Sequence, residues 1–131
     1  LIPQVVAWQN SVTHRVLNGK DLVTPFGRKR SFYLITEENK RDVVNEALSY
    51  LPQSIASDIC LDALCTVQPM LEGIATMRLT VHDALILEAH KNKADQAIEI
   101  VQREMVASGR RFTDYVPFPV DVSTAQRLGE L

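Results

Sequence analysis

The run MRLTVHDALILEAH, from Met77 to His90, alternates apolar and polar residues, breaks at His82-Asp83-Ala84, and then resumes the alternation. Alternation of this kind is typical of a half-buried β-strand, and a short break between two such runs indicates an antiparallel hairpin. The pattern predicts that Leu79 and Val81 enter a core while their neighbours face the other side. Asp83 is then expected at the turn, exposed on a rigid apolar support.

The rest of the chain predicts helices, a second hairpin and a final strand. Residues 3–18 and residues 41–66 carry apolar side chains every three or four positions, which indicates amphipathic helices. Residues 21–33 read as a short hairpin around a Pro-Phe-Gly turn. Residues 92–109 resemble a capped helix that ends at its glycine, and residues 116–123 resemble a short strand.

This order of elements shows no regular alternation of single strands and crossover helices. It predicts an α+β fold in which long helices cover one side of a small antiparallel sheet. With 131 residues, of which 46% are apolar, the chain has the size of one ordinary domain, so we expect a single unit over residues 1–131.

Charge and composition exclude few classes of function. A formal net charge of -2 neither indicates nor excludes a nucleic-acid partner. No apolar run of about 18 residues and no signal-peptide pattern occurs, so we expect no membrane partner. Cys60 and Cys65 do not have the spacing of a metal-binding set.

Asp83 is the best candidate for a metal ligand in the sequence. A carboxylate on a rigid support suits Mg²⁺, which binds oxygen ligands in strict geometry and often uses one or two carboxylates together with substrate phosphates. On the local pattern alone, an aspartate that only forms a turn is the more common case. His82 is expected to support the turn, because Mg²⁺ does not favour imidazole.

Three segments, in order, resemble family A DNA polymerases, the bacterial DNA polymerase I family. LTVHDALILEA resembles their motif C hairpin, TPFGRKRSF resembles their Phe-Gly-Arg-Arg-Arg segment, and LPQSIASDICLDAL resembles the helix between the two. The closing FPVDVSTAQRL occupies the place of the family's terminal Val-Glu-Val strand.

The resemblance implies the C-terminal, palm-centred part of a bacterial or phage DNA polymerase, located in the cytoplasm of the bacterium or phage host. In DNA replication such an enzyme transfers a nucleotide from a dNTP to the 3′-hydroxyl of a primer on a primer-template, using two Mg²⁺ ions. The resemblance makes Asp83 the motif C metal ligand and catalytic residue, opposite an aspartate of motif A.

The resemblance also implies that one polar face of the long helix contacts DNA. Asn45, Ser49 and Gln53 would lie along the minor groove of the primer-template, where every correct base pair offers acceptors at similar positions. An ordinary solvated helix face remains the alternative. Gln53 matches the family's glutamine, whereas Ser49 and Asn45 stand where the family commonly has asparagine and arginine.

A basic cluster precedes that helix. Arg28, Lys29 and Arg30 would supply contacts to DNA phosphates, which depend on salt and not on base sequence. Without the family motif, the same residues also fit a solvated charge cluster.

Two departures from the family bear on activity. Ala84 replaces the glutamate that commonly follows the catalytic aspartate, and neither motif A nor the nucleotide-binding fingers helix occurs in this sequence. One carboxylate cannot hold two Mg²⁺ ions, so the chain alone is predicted to be inactive and to need the remainder of the polymerase, as a fragment or as half of a split enzyme. A noncatalytic DNA-binding or assembly module and a metal-dependent phosphohydrolase are the rival functions.

Overall fold

The computed structural model describes residues 2–130, which form helices and two small antiparallel sheets. This architecture confirms the α+β fold class. The chain divides into two compact units, Leu1–Asp58 and Ile59–Leu131, called the first and second unit below. The sequence predicts a single unit. It stays a prediction that the two units act together as one catalytic part. None of the helices within residues 2–130 is long and apolar enough to cross a membrane.

The first unit contains a helix, a short hairpin and the beginning of the long helix. In chain order the elements are α1 (Pro3–Leu17), β1 (Leu22–Val23), β2 (Lys29–Arg30) and the first part of α2 (Lys40–Met70). Pro3 stands in the first turn of α1, where its missing N–H costs nothing. Asn18 ends α1, and its side-chain amide donates a hydrogen bond of 2.7 Å to the carbonyl of His14. These bounds confirm the first helix and the first hairpin.

One hydrophobic core holds the first unit together. Its buried residues are Val12, Val16, Leu22 and Ala47. The same face of α1 supplies the two valines because they are four positions apart, and α2 packs its alanine where little space remains. Half-buried side chains surround this core, among them Phe32, Ile35, Leu48 and Leu51.

The second unit contains the rest of α2, the longer hairpin and the last long helix. In chain order the elements after α2 are β3 (Ala75–Val81), β4 (Ala84–Ala89) and α3 (Ala94–Phe112). The buried residues of its core are Val67, Leu71, Ala97 and Val101. Apolar side chains from one face of the hairpin cover this core: Ala75, Met77, Leu85, Leu87 and Ala89.

A β-bulge changes which face of β3 reaches the core. Met77 pairs with Leu87, but Leu79 pairs with Ile86, so the register shifts between these two pairs. Because side chains alternate along a strand, one extra residue moves every later side chain to the opposite face. Leu79 is therefore 38% exposed and Val81 45% exposed. The prediction that these two residues enter the core was wrong.

The end of the chain also differs from the prediction. Helix α3 continues past Gly109 to Phe112, and no strand forms among residues 113–127. Gly109 is buried, and a Cβ at this position would lie 2.7 Å from the ring of Phe118. Glycine is present because the following segment packs back onto the helix, and the Gln102 side chain fastens that segment with a hydrogen bond of 3.0 Å to the carbonyl of Val120.

Candidate metal and nucleic-acid site

Asp83 lies at the tip of the β3–β4 hairpin. Val81 and Ala84 are the last paired residues, so His82 and Asp83 form a two-residue turn. The Asp83 side chain is exposed and makes no hydrogen bond or ion pair with residues 2–130. Its carboxylate oxygens are therefore free to bind a cation or water.

The neighbouring His82 has an unusual backbone conformation. Its φ is +54°, in the left-handed region that L-amino acids with a side chain rarely adopt. Tight two-residue hairpin turns require a positive φ in at least one central residue, and glycine or asparagine is the common choice. The turn that carries Asp83 is thus held in a strained conformation by the strands on either side of it.

A cavity of about 670 Å³ in the second unit begins at this turn. Asp83, Ala84 and Asp121 all line it, together with apolar residues of β4 and α3. Among residues 2–130, no group of three histidine, cysteine or acidic side chains could hold a metal ion. The donor chemistry therefore fits part of a hard-cation site, with oxygen ligands but too few of them.

The negative charge of Asp83 affects the pKa of a cysteine thiol in α2. Cys60 is buried, and burial raises the pKa of its thiol above the ordinary value. The negative charge of Asp83 adds to this increase in pKa.

The predicted minor-groove residues lie on an open face of α2 in the first unit. Asn45, Ser49 and Gln53 are all exposed, and none of their side chains forms a hydrogen bond with another described residue. They are four positions apart, so their side chains follow one side of the helix. The structure brings these three residues together as predicted and leaves their polar groups available.

The basic residues around the β1–β2 turn differ in their partners. Arg28 donates to the buried Asp58, at 3.0 Å from Nε and 2.5 Å from Nη2. Arg30 pairs with Glu46, and both of these side chains are about half exposed. The Lys29 side chain is exposed and makes no hydrogen bond or ion pair within the described part of the chain.

Comparisons with known proteins identify the family. The model of DNA polymerase family A matches residues 2–130. The chain belongs to this family. A search of curated proteins finds no match. Among solved structures, the chain resembles the POL domain of Pol1 from M. smegmatis, determined in complex with a DNA primer-template and dNTP, with a TM-score of 0.71 and 20% sequence identity.

That similarity in fold covers 79% of this chain but only 19% of the mycobacterial chain. This family A polymerase chain therefore spans about a fifth of the Pol1 POL chain that it matches.

Two aspartates of this family A chain, one in each unit, make contacts that the sequence did not predict. Asp58 holds Arg28, and Asp121 lines the cavity of Asp83. Asp58 had a signal, since an aspartate among apolar neighbours in a helix needs a partner. The partner itself lies 30 residues away in the sequence, and no local pattern identifies it.

Proposed function

We propose that this chain is the part of a DNA-directed DNA polymerase that supplies one metal-binding carboxylate and part of the DNA-binding surface. The reaction is template-directed transfer of a nucleotide from a dNTP to the 3′-hydroxyl of a primer. The observation that carries the proposal is Asp83, an exposed carboxylate without an internal partner at the tip of a strained hairpin, in a chain of DNA polymerase family A.

Asp83 is the catalytic residue of the proposal, because its oxygens would hold Mg²⁺. When bound, two Mg²⁺ ions activate the primer hydroxyl and stabilise the charge of the leaving pyrophosphate. The second carboxylate comes from a segment outside this chain, since the described residues offer too few ligands. His82 fixes the turn and so restricts where the Asp83 oxygens point.

The first unit would bind the primer-template. Asn45, Ser49 and Gln53 present uncharged polar groups that can sense base-pair geometry in the minor groove without reading sequence. The basic turn next to them supplies positive charge for phosphates. Exposure and the absence of internal partners support this role for the three polar residues of α2.

The proposal places the chain in DNA replication, in a bacterial cytoplasm or in that of a phage host. Its partners are primer-template DNA, a dNTP and the remainder of the polymerase. We use "complete enzyme" for this chain together with the segment or separate chain that supplies the second carboxylate. Residues 1–131 then serve as one part of the catalytic domain, within the palm, and are inactive alone.

The test is Asp83→Ala in the complete enzyme. Nucleotide addition should fall to background, because the metal loses a ligand, while primer-template affinity should remain within about twofold, since Asp83 contributes no phosphate contact. Glu88→Gln is the matched control: Glu88 is an exposed carboxylate on the same hairpin that pairs with Arg78. This variant should retain nearly normal activity.

Two results would contradict the proposal in different ways. Near-normal primer extension by Asp83→Ala would remove Asp83 from the catalytic site. Primer-template binding without any nucleotide addition by the complete wild-type enzyme would instead favour the noncatalytic DNA-binding module.

A further inference from the structure

A buried carboxylate holds both ends of the β1–β2 turn. Asp58 is only 8% exposed, and Thr24 only 3%. One oxygen of Asp58 accepts both hydrogen bonds from Arg28, and the other accepts a hydrogen bond of 3.2 Å from the Thr24 hydroxyl. Both oxygens are therefore used inside the first unit, which is what a buried carboxylate requires.

The same two partners of Asp58 also close the turn through the backbone. The N–H of Thr24 donates to the carbonyl of Arg28 at 2.9 Å, and the N–H of Arg28 donates to the Thr24 hydroxyl at 3.2 Å. Gly27 between them adopts a φ of +86°. Asp58 thus fixes the position at which β2 begins, and β2 consists of Lys29 and Arg30.

The three basic residues consequently differ in how freely they can bind a phosphate. The hydrogen bonds that Arg28 donates to Asp58, together with the negative charge of Asp58, raise the pKa of Arg28, and this cation is already paired within the protein. The pair of Arg30 with Glu46 is exposed, and exposed pairs are weak enough to exchange with another anion. The Lys29 side chain has no hydrogen-bond or ion-pair partner among the described residues. The cations available to DNA are therefore Lys29 and Arg30.

We propose that Arg28 and Asp58 are a positioning pair, which sets the basic turn so that Lys29 and Arg30 can bind phosphates of the primer-template. The inference rests on the proposed function, because it presupposes that the first unit contacts DNA. It separates a residue that places the turn from residues that touch the ligand, although all three basic residues are neighbours in sequence.

The experiment compares Arg28→Ala with Asp58→Asn, two variants that change the net charge in opposite directions. Primer-template affinity of the complete enzyme is measured from low to high salt. Both variants should weaken binding and flatten the logarithmic salt dependence to the same extent, by up to about 1.8 if both phosphate contacts are lost at about 0.9 each. The double variant should be no worse than either single one, because both remove the same pair.

A phosphate contact by Arg28 itself predicts the opposite sign for Asp58→Asn. Removing the carboxylate would then free the guanidinium and remove a competing negative charge, so binding would tighten or stay unchanged. Either result overturns the inference. Thr24→Val provides a milder test should Asp58→Asn fold poorly, since it removes only the hydroxyl hydrogen bonds; it should weaken binding in the same direction, and unchanged binding would count against the positioning pair.

Three further variants separate placement from simple charge and from loss of fold. Lys29→Ala should flatten the salt dependence by about 0.9 while leaving the melting temperature unchanged. Glu46→Gln should leave affinity unchanged or raise it, because it frees Arg30. Arg28→Lys should restore part of the salt dependence, since an ammonium can still pair with Asp58. If the wild-type enzyme shows no salt-dependent DNA binding at all, the proposed function fails, and not this inference alone.

Discussion

The turns of the two hairpins both require a residue with a positive φ, but they use different residues for it. Each turn contains one residue with a positive φ: Gly27 at +86° in the first unit and His82 at +54° in the second. Glycine adopts this conformation without a steric cost, whereas histidine does not. The relaxed turn carries a basic cluster in which Arg28 and Arg30 pair with carboxylates, and the strained turn carries a carboxylate that has no partner within residues 2–130.

This difference is consistent with the two roles proposed for the hairpins, phosphate binding by the first and metal binding by the second. A turn that binds phosphates, as proposed for the first hairpin, must lie near the DNA but needs less exact side-chain orientation, because charge attraction acts over several ångströms and is only weakly directional. A metal ligand must be placed within a narrow range, and strain at the neighbouring residue restricts the alternatives available to the turn. Strain is accordingly found beside Asp83 and not beside Lys29.

Among changes to the backbone of the two turns, relaxing the strained turn should have the largest effect on nucleotide addition. In His82→Gly the left-handed backbone becomes unstrained, but glycine also frees the turn, so stability should change by less than about 1 kcal/mol while the turn gains freedom. Misplacement of the Asp83 oxygens should then lower the rate of nucleotide addition by up to about a hundredfold. Single-turnover primer extension and thermal melting of the complete enzyme would measure the two quantities.

The control for this change is His82→Asn, because asparagine tolerates a positive φ and keeps a side chain at the turn. It should extend primers faster than His82→Gly. Equal, strong losses in both variants would mean that the imidazole itself takes part in the reaction, and the comparison of the two turns would lose its meaning.

Making the relaxed turn strained should cost stability. Gly27→Ala places a Cβ at a φ of +86° and should destabilise the first unit by about 1 to 2 kcal/mol. Denaturant unfolding measures this loss. Gly129→Ala is the matched control, since a Cβ at Gly129 meets no atom within 4 Å and its φ is not in the left-handed region. A neutral Gly27→Ala would show that the turn readily adopts another conformation.

Acid should lower the stability of the second unit through Asp62, which is paired, unlike Asp83 at the hairpin tip. Asp62 accepts a hydrogen bond of 2.7 Å from the buried Ser108 and pairs with Arg111, and these contacts lower its pKa. A lowered pKa in the folded state contributes stability that is complete above the unfolded pKa of about 3.9 and is lost as the pH falls through the folded pKa.

Asp62→Asn should therefore destabilise the enzyme by about 1 kcal/mol at neutral pH, a modest value because the Asp62 side chain is 39% exposed. The variant should approach wild-type stability in acid. Melting temperatures between neutral pH and about pH 3 would show the two curves converging. Parallel curves would mean that Asp62 gains nothing from Ser108 and Arg111.

Local patterns sufficed to predict the helices and hairpins, because periodicity and turn residues act within a few positions. Features set by distant contacts could not be predicted. The bulge between Met77 and Leu79 leaves no mark in the alternation, and it reversed the exposure of the residues after it. Gly109 resembled the end of a helix, but a glycine is required at this position because the ring of Phe118 leaves no space for a Cβ.

The same distinction between local patterns and distant contacts applies to the candidate site residues. Asp83 was found from its place between two alternating runs and from the family motif, and the structure puts it at the tip as expected. The role of Asp58 could not be found in this way, because its partners come from positions 24 and 28, more than 25 residues earlier in the chain. Roles in metal and DNA binding remain predictions until the variants are measured.

The smallest effect should come from the binding side of the comparison. Gln53 is exposed, and its side chain has no hydrogen-bond partner among residues 2–130. If its amide contacts the terminal base pair, Gln53→Ala removes a hydrogen bond worth about 0.5 to 1 kcal/mol, which slows extension from matched primer ends about two- to fivefold. Mismatched ends distort the groove and do not form this contact, so their extension should change little and discrimination should fall.

The control is Gln68→Ala. Gln68 is an exposed glutamine of the same helix in the second unit, and its substitution should leave discrimination unchanged. Alanine favours a helix, so neither variant should lower the melting temperature. Equal slowing on matched and mismatched primers would place Gln53 outside the minor groove and leave the basic turn as the remaining candidate for DNA binding in the first unit.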